Sequence, residues 1–244
     1  MDKRHWRDCP LSLKSGNIVQ RTIFTREDTE GAGPEGAILR YIDRYARGFL
    51  EAGVSTAPQV NEGVQEVLFI ASGSGKLVTS GQEQPFAAGD GILMPPGVEH
   101  AFINDGDIPV ELYIISESVP DDADPKIRTP RIRNYRQSEL MVSHWSYLVH
   151  PIFGVEDGLV KMRDVLVVLI DPMRTGDSHG HGPNMDEIWT MWKGQAVHVI
   201  SQEVCVQTPG TAVSVCPSAP GHTLINHTTE PCYLFYFCSL DHNS

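Results

Sequence analysis

Ser178-His179-Gly180-His181-Gly182-Pro183-Asn184-Met185-Asp186-Glu187-Ile188-Trp189 is the stretch on which the reading of this chain turns. Side chains alternate faces along an extended strand, so His179 and His181 point the same way. The Gly-Pro-Asn insert lets the backbone turn and the next strand bring Glu187 back beside them. Two imidazoles and a carboxylate converging on one face make a metal-binding triad. A fourth ligand is available in Pro220-Gly221-His222-Thr223-Leu224-Ile225-Asn226. Against this stands the plainer reading of strand histidines facing water. Three histidines and a glutamate in one frame favour the metal.

The same frame occurs earlier in the chain. Gly53, Gln59, Asn61, Glu66 and Gly73, followed by Gly89, Pro95, Gly97, His100 and Asn104, form a second such frame, with Gln59, Asn61, Glu66 and His100 in the places of His179, His181, Glu187 and His222. The offset grows from 120 residues (59 to 179) to 122 (100 to 222), as two single-residue insertions would produce. An internal repeat of this size means two copies of one architecture. The pattern resembles the two motifs of the cupin superfamily. The first reads glycine, five residues, His-any-His, three or four residues, Glu, six residues, Gly. The second reads glycine, five residues, Pro-any-Gly, two residues, His, three residues, Asn. Glu187 follows the histidines one residue late, which leaves Asp186 at the usual glutamate position; the six-residue spacing to Gly194 selects Glu187. Gly221 sits directly before His222, where the motif has its glycine three residues earlier.

The resemblance implies an all-β bicupin, two tandem double-stranded β-helix (jelly-roll) barrels. The expected layout is an N-terminal arm over 1–35, barrel 1 over 36–118, a linker over 119–140 and barrel 2 over 141–244. Short β-branched or aromatic runs bounded by turn residues, such as Val64–Ile70 and Val110–Ser116, agree with it, and no amphipathic helix of several turns interrupts them. Short antiparallel strands rolled into a barrel leave few open edges and a central cavity. The resemblance further implies that His179, His181, Glu187 and His222 hold one divalent transition metal. Barrel 1 is expected to be a degenerate site of Gln59, Asn61, Glu66 and His100, because amide oxygens are weak ligands for such ions.

Composition limits the partners. Acidic residues outnumber basic ones 31 to 19, for a formal charge of −12, and such a surface repels phosphate backbones. No apolar run reaches the length of a membrane span, and the first residues lack the apolar core of a signal peptide. Five cysteines without a C-x-x-C pair argue against a disulfide framework. Cys232 and Cys238 would lie about 20 Å apart on one strand, whereas Cys205 and Cys216 flank a Pro-Gly turn and could approach. A reducing, cytoplasmic setting is expected, with a small-molecule substrate, no nucleic acid and no membrane. A homodimer stays open.

Three nitrogens and one carboxylate suit Fe, Mn, Ni, Co or Zn alike. Up to two positions on an octahedral ion stay open for water, dioxygen or substrate. The expected function is thus a metal-dependent enzyme acting on a small oxygenated metabolite: a dioxygenase, or a non-redox isomerase, lyase or hydrolase. The alternative is a non-catalytic metal- or small-ligand-binding protein. His198 and Trp189 are the candidate catalytic residues, each with a structural alternative: an outward-facing histidine and ordinary core packing. His144 and His150 fall outside the motifs and read as surface or structural histidines.

Overall fold

The computed structural model describes residues 1–120, 126–182, 184–215 and 221–240. The chain divides into two compact units, Arg7–Asn134 and Met1–Trp6 with Tyr135–Ser244. Both are built from strands; the helical elements among the described residues are three single 3-10 turns.

Each unit pairs one large sheet with a three-stranded one, and the strand order is the same in both. In the later unit the large sheet runs Asp2–His5, Thr211–Ser214, Glu187–Lys193, Cys232–Ser239, Met162–Ile170, Tyr147–Gly154, Met141–Ser143. In the earlier unit it runs Arg131–Asn134, Asp90–Met94, Val64–Ser72, Val110–Ser118, Arg44–Leu50, Ile18–Arg26, Leu11–Lys14. A short strand, Ala37–Leu39, adds in parallel to Ile18–Arg26. The small sheets are Glu203–Gln207, Ala196–Ile200, His222–Ile225 and, correspondingly, Gln82–Ala87, Ser74–Thr79, His100–Ile103. This twofold use of one jelly-roll pattern is the cupin barrel.

The segments expected as an arm and a linker both hold strands. Asp2–His5 pairs with Thr211–Ser214, and Arg131–Asn134 pairs with Asp90–Met94. Each is followed by a 3-10 turn, Trp6–Asp8 or Tyr135–Gln137, so the repeat extends to the very start of the chain. Each unit therefore borrows its edge strand from the segment that precedes the other repeat. Of the linker, residues 121–125 lie outside the described part. Cys205, Cys232 and Cys238 are not joined in a disulfide among the described residues; Cys216, the partner considered for Cys205, lies outside them.

Central strands are buried on both faces, which is why Glu187-Ile-Trp-Thr-Met-Trp reads as an apolar run with little alternation. Inside the later barrel, Trp189, Met191, Leu234, Tyr236, Tyr147 and Leu224 pack together. The earlier barrel is filled by smaller aliphatic groups, among them Leu68, Ile70, Leu112 and Ile114. At the turn where the first repeat has Gly53 at φ +71°, the second has Met173 at φ +57°, a left-handed conformation that glycine adopts without cost.

The asparagine ending each second motif locks a turn. Asn226 is fully buried; its amide nitrogen donates to the carbonyls of Ile170 (2.9 Å) and Glu230 (2.8 Å), and its Oδ1 accepts from the Thr228 backbone N–H (3.0 Å). Asn104 does the same with Leu50, Ile108 and Gly106. Replacing Asn226→Ala strands buried carbonyls, so urea unfolding should show a loss of about 2–3 kcal/mol. A loss below about 0.5 kcal/mol would mean that the turn holds without its side chain.

Candidate metal centre

His179 and His222 face each other across an isolated antiparallel bridge, with His179 N–H donating to His222 O (3.2 Å) and His222 N–H to His179 O (2.8 Å). His181 follows two residues on, and Glu187 opens the strand Glu187–Lys193. The geometry brings all four together. One nitrogen from each of the three histidines lies within 4.8 Å of the others. His181 Nε2 is 3.3 Å and His222 Nε2 3.5 Å from the two carboxylate oxygens of Glu187. Asp186 lies just before the strand, and its backbone is held by Ser239 (2.8 and 2.9 Å).

The outer contacts orient this set. His179 Nδ1 lies 3.1 Å from the Asp177 carbonyl, which can only accept; the proton therefore sits on Nδ1 and Nε2 keeps its lone pair. The Trp189 indole donates to Glu187 Oε1 at 2.8 Å. His181 Nε2, His222 Nε2 and Glu187 Oε2 are buried and none has a hydrogen-bond partner of good geometry, although His181 Nε2 and Glu187 Oε2 lie 3.3 Å apart. Bare, buried, converging donor atoms are costly unless a further group satisfies them, and a divalent cation fits that description. The donor set thus suits a metal.

Electrostatics agree. Burial pushes the Glu187 carboxyl up, but His181, His222 and the Trp189 indole outweigh it and hold it below the usual carboxylate range. Burial pushes His222 down to about 4, with Glu187 opposing, and also lowers His179. At neutral pH the His179 and His222 imidazoles are neutral and Glu187 is a carboxylate, the protonation states that metal binding requires.

A cavity of about 440 Å³ opens onto His179, His181 and Glu187, with Trp189, Tyr147 and Tyr236 among its other walls. Trp189 therefore lies both in the core and on the cavity. His198 is fully buried and is not among the lining residues. Its Nδ1 meets Gln207 Oε1 at 3.2 Å, and burial pushes it down to about 3. Sequence reasoning missed His144. It stacks on His179 at 3.5 Å between ring centroids, and its Nδ1 lies 3.2 Å from Asp177 Oδ1. It sits at φ +46° in a tight turn outside both motifs, so no spacing signalled it. Asp164 and Arg163 also line the cavity and were hidden inside an apolar strand, Met162–Ile170.

The equivalent residues of the earlier barrel also meet, with a different outcome. Gln59 Nε2 is 3.0 Å from His100 Nε2, and His100 Nδ1 is 2.8 Å from the Val98 carbonyl. Asn61 Nδ2 donates to Glu66 Oε2 (2.9 Å) and Ser116 Oγ to Glu66 Oε1 (3.0 Å). Here both nitrogens of His100 and both oxygens of Glu66 are used by neighbours.

Comparison with known proteins places this architecture. Residues 49–116 match the family model described as Cupin domain. No curated protein matches the chain. Among solved structures, a glyoxylate-induced protein of Pseudomonas aeruginosa aligns with a TM-score of 0.77 at 13% identity, over 95% of this chain and 85% of its own. A variant of Bacillus subtilis oxalate decarboxylase aligns at 0.74 and 14%, over 99% and 78%. Ylba of E. coli aligns at 0.74 and 14%, over 99% and 91%. At such identities the likeness is one of fold. The domain match covers one of the two repeats, and the fold of the chain is that of a two-barrel cupin. Among the described residues no helix is long and apolar enough to cross a membrane.

The lowered histidines have a consequence for stability. A histidine that is neutral when folded but titrates near 6.5 when unfolded stabilises the fold above 6.5 and loses that contribution as pH falls toward its folded value. For His222 and His198 this window runs from 6.5 down to about 4 and about 3. The urea midpoint of metal-free protein should fall steadily from pH 7 to pH 4, and less steeply in His198→Gln. A midpoint flat across that range would contradict the buried, neutral state.

Proposed function

We propose that this chain is a metal-dependent bicupin enzyme acting on a small oxygenated metabolite, with one divalent transition metal held by His179, His181, Glu187 and His222. The observation that carries this reading is the set of buried donor atoms without hydrogen-bond partners at the head of a cavity. When bound, the ion would supply Lewis-acid or oxygen chemistry at its open positions. The protein supplies the rest. The Asp177 carbonyl sets the His179 tautomer, and the Trp189 indole fixes the carboxylate of Glu187. Tyr147, Trp189 and Tyr236 give the substrate apolar walls that limit water.

Dioxygenase chemistry and non-redox isomerase, lyase or hydrolase chemistry both fit this donor set. Two neighbours in fold carry names that involve glyoxylate and oxalate, and Bacillus subtilis oxalate decarboxylase is described with Mn(II) centres. Those names support a small oxygenated acid as the substrate class and put manganese first among Mn, Fe, Ni, Co and Zn for assay. Oxygen uptake on a substrate panel separates the two reaction classes.

Elemental analysis of purified protein should find close to one transition-metal ion per chain. His181→Ala removes one strong donor and should weaken metal affinity at least about tenfold, as loss of an inner ligand costs more than loss of an outer partner. Unchanged occupancy and affinity in that variant would remove the basis of the proposal.

A further inference from the structure

The inward faces of three neighbouring strands line up in rows. Cys238 is paired with Glu187 on one side and with Asp164 on the other, and in the next row Tyr236 is paired with Trp189 and Leu166. Directly paired residues project to the same face, and adjacent strands lie about 4.8 Å apart. Glu187 and Asp164 thus stand about 10 Å apart at the backbone on one face, and both line the cavity. The register shifts between Met162 and Asp164, an irregularity of the kind that re-aims a side chain. Asp164 Oδ2 is held by Arg163 Nε (2.7 Å) and faced by the Cys238 thiol (3.8 Å), which leaves its Oδ1 as an acceptor. In the earlier barrel the same row reads Glu66, Ser116, Arg44, so the charge at Asp164's position is reversed where the bare donor set is missing.

Resting on the metal-dependent reading above, we infer that Asp164 is a specificity-determining residue. It receives the hydroxyl or amino donor of a small substrate whose carboxylate end is held at the His179–His181–His222 face. The charge of the cavity wall points the same way. Arg163 is one cation against the carboxylates of Glu156 and Asp164, all three on the cavity lining. A second negative charge on the substrate is repelled there, whereas an O–H or N–H finds an acceptor. The cavity therefore selects a hydroxy or amino monoacid against a dianion that has no donor, such as oxalate.

The test is calorimetric titration of the full chain loaded with Mn(II), using two matched pairs of probes: glycolate against oxalate, and 3-hydroxypropionate against malonate. The hydroxy acid should bind at least tenfold more tightly than the dianion in one pair or both. Asp164→Asn should keep its manganese and bring that ratio to within threefold. Dianions that bind as tightly as the hydroxy acids in both pairs would assign the wall to Arg163 and overturn the inference. So would a preference that survives in Asp164→Asn, or no hydroxy-acid binding in either pair. Manganese content, measured on the same samples, separates the two levels: failure to load manganese or any other transition metal overturns the metal reading itself, whereas loaded protein without selectivity overturns only the role of Asp164.

Discussion

The later barrel is organised around a buried carboxylate that has too few partners. Glu187 is 2% exposed, pinned by one indole hydrogen bond, and faced by the His222 imidazole, which burial keeps neutral at physiological pH. An ionised carboxylate stripped of water costs several kcal/mol unless something positive or hydrogen-bonding replaces the water. In the earlier barrel Asn61 and Ser116 do this for Glu66. In the later barrel no side chain does it fully, and a divalent cation completes the balance in the proposed reading.

The two barrels thus show one backbone solving one electrostatic problem twice. His181 and His222 leave buried nitrogens bare, whereas the amides at 59 and 61 bring their own donors and close the network. The surrounding volume follows suit. Trp189 and Tyr236 frame an open cavity, while the paired positions of the earlier barrel are Leu68 and Ile114, both buried in an aliphatic core. Arg44, buried in the same row as Glu66, places a cation where the later barrel has Asp164.

Much of this was legible in the sequence because the cupin motifs mark turns and inward positions with residues of distinctive chemistry. Two histidines two apart, a glutamate seven before a glycine, and an asparagine four after a histidine each report a backbone constraint as well as a side chain. Asn104 and Asn226 show why: their amides lock the turns that aim His100 and His222. What escaped carries no such signal. Asp2–His5 and Arg131–Asn134 are short, charged edge strands without alternation, and their pairing is decided by distant segments. His144 reaches His179 only through a left-handed turn, and Asp164 sits in an apolar strand where nothing in the spacing marks it.

The central claim is that one ion sits in the later barrel and none in the earlier one. Anomalous diffraction from crystals of metal-loaded protein, collected at the absorption edge of the bound metal, addresses it directly. A single strong peak enclosed by His179, His181, Glu187 and His222 is expected. A peak among Gln59, Asn61, Glu66 and His100, or a metal held without Glu187, would contradict it.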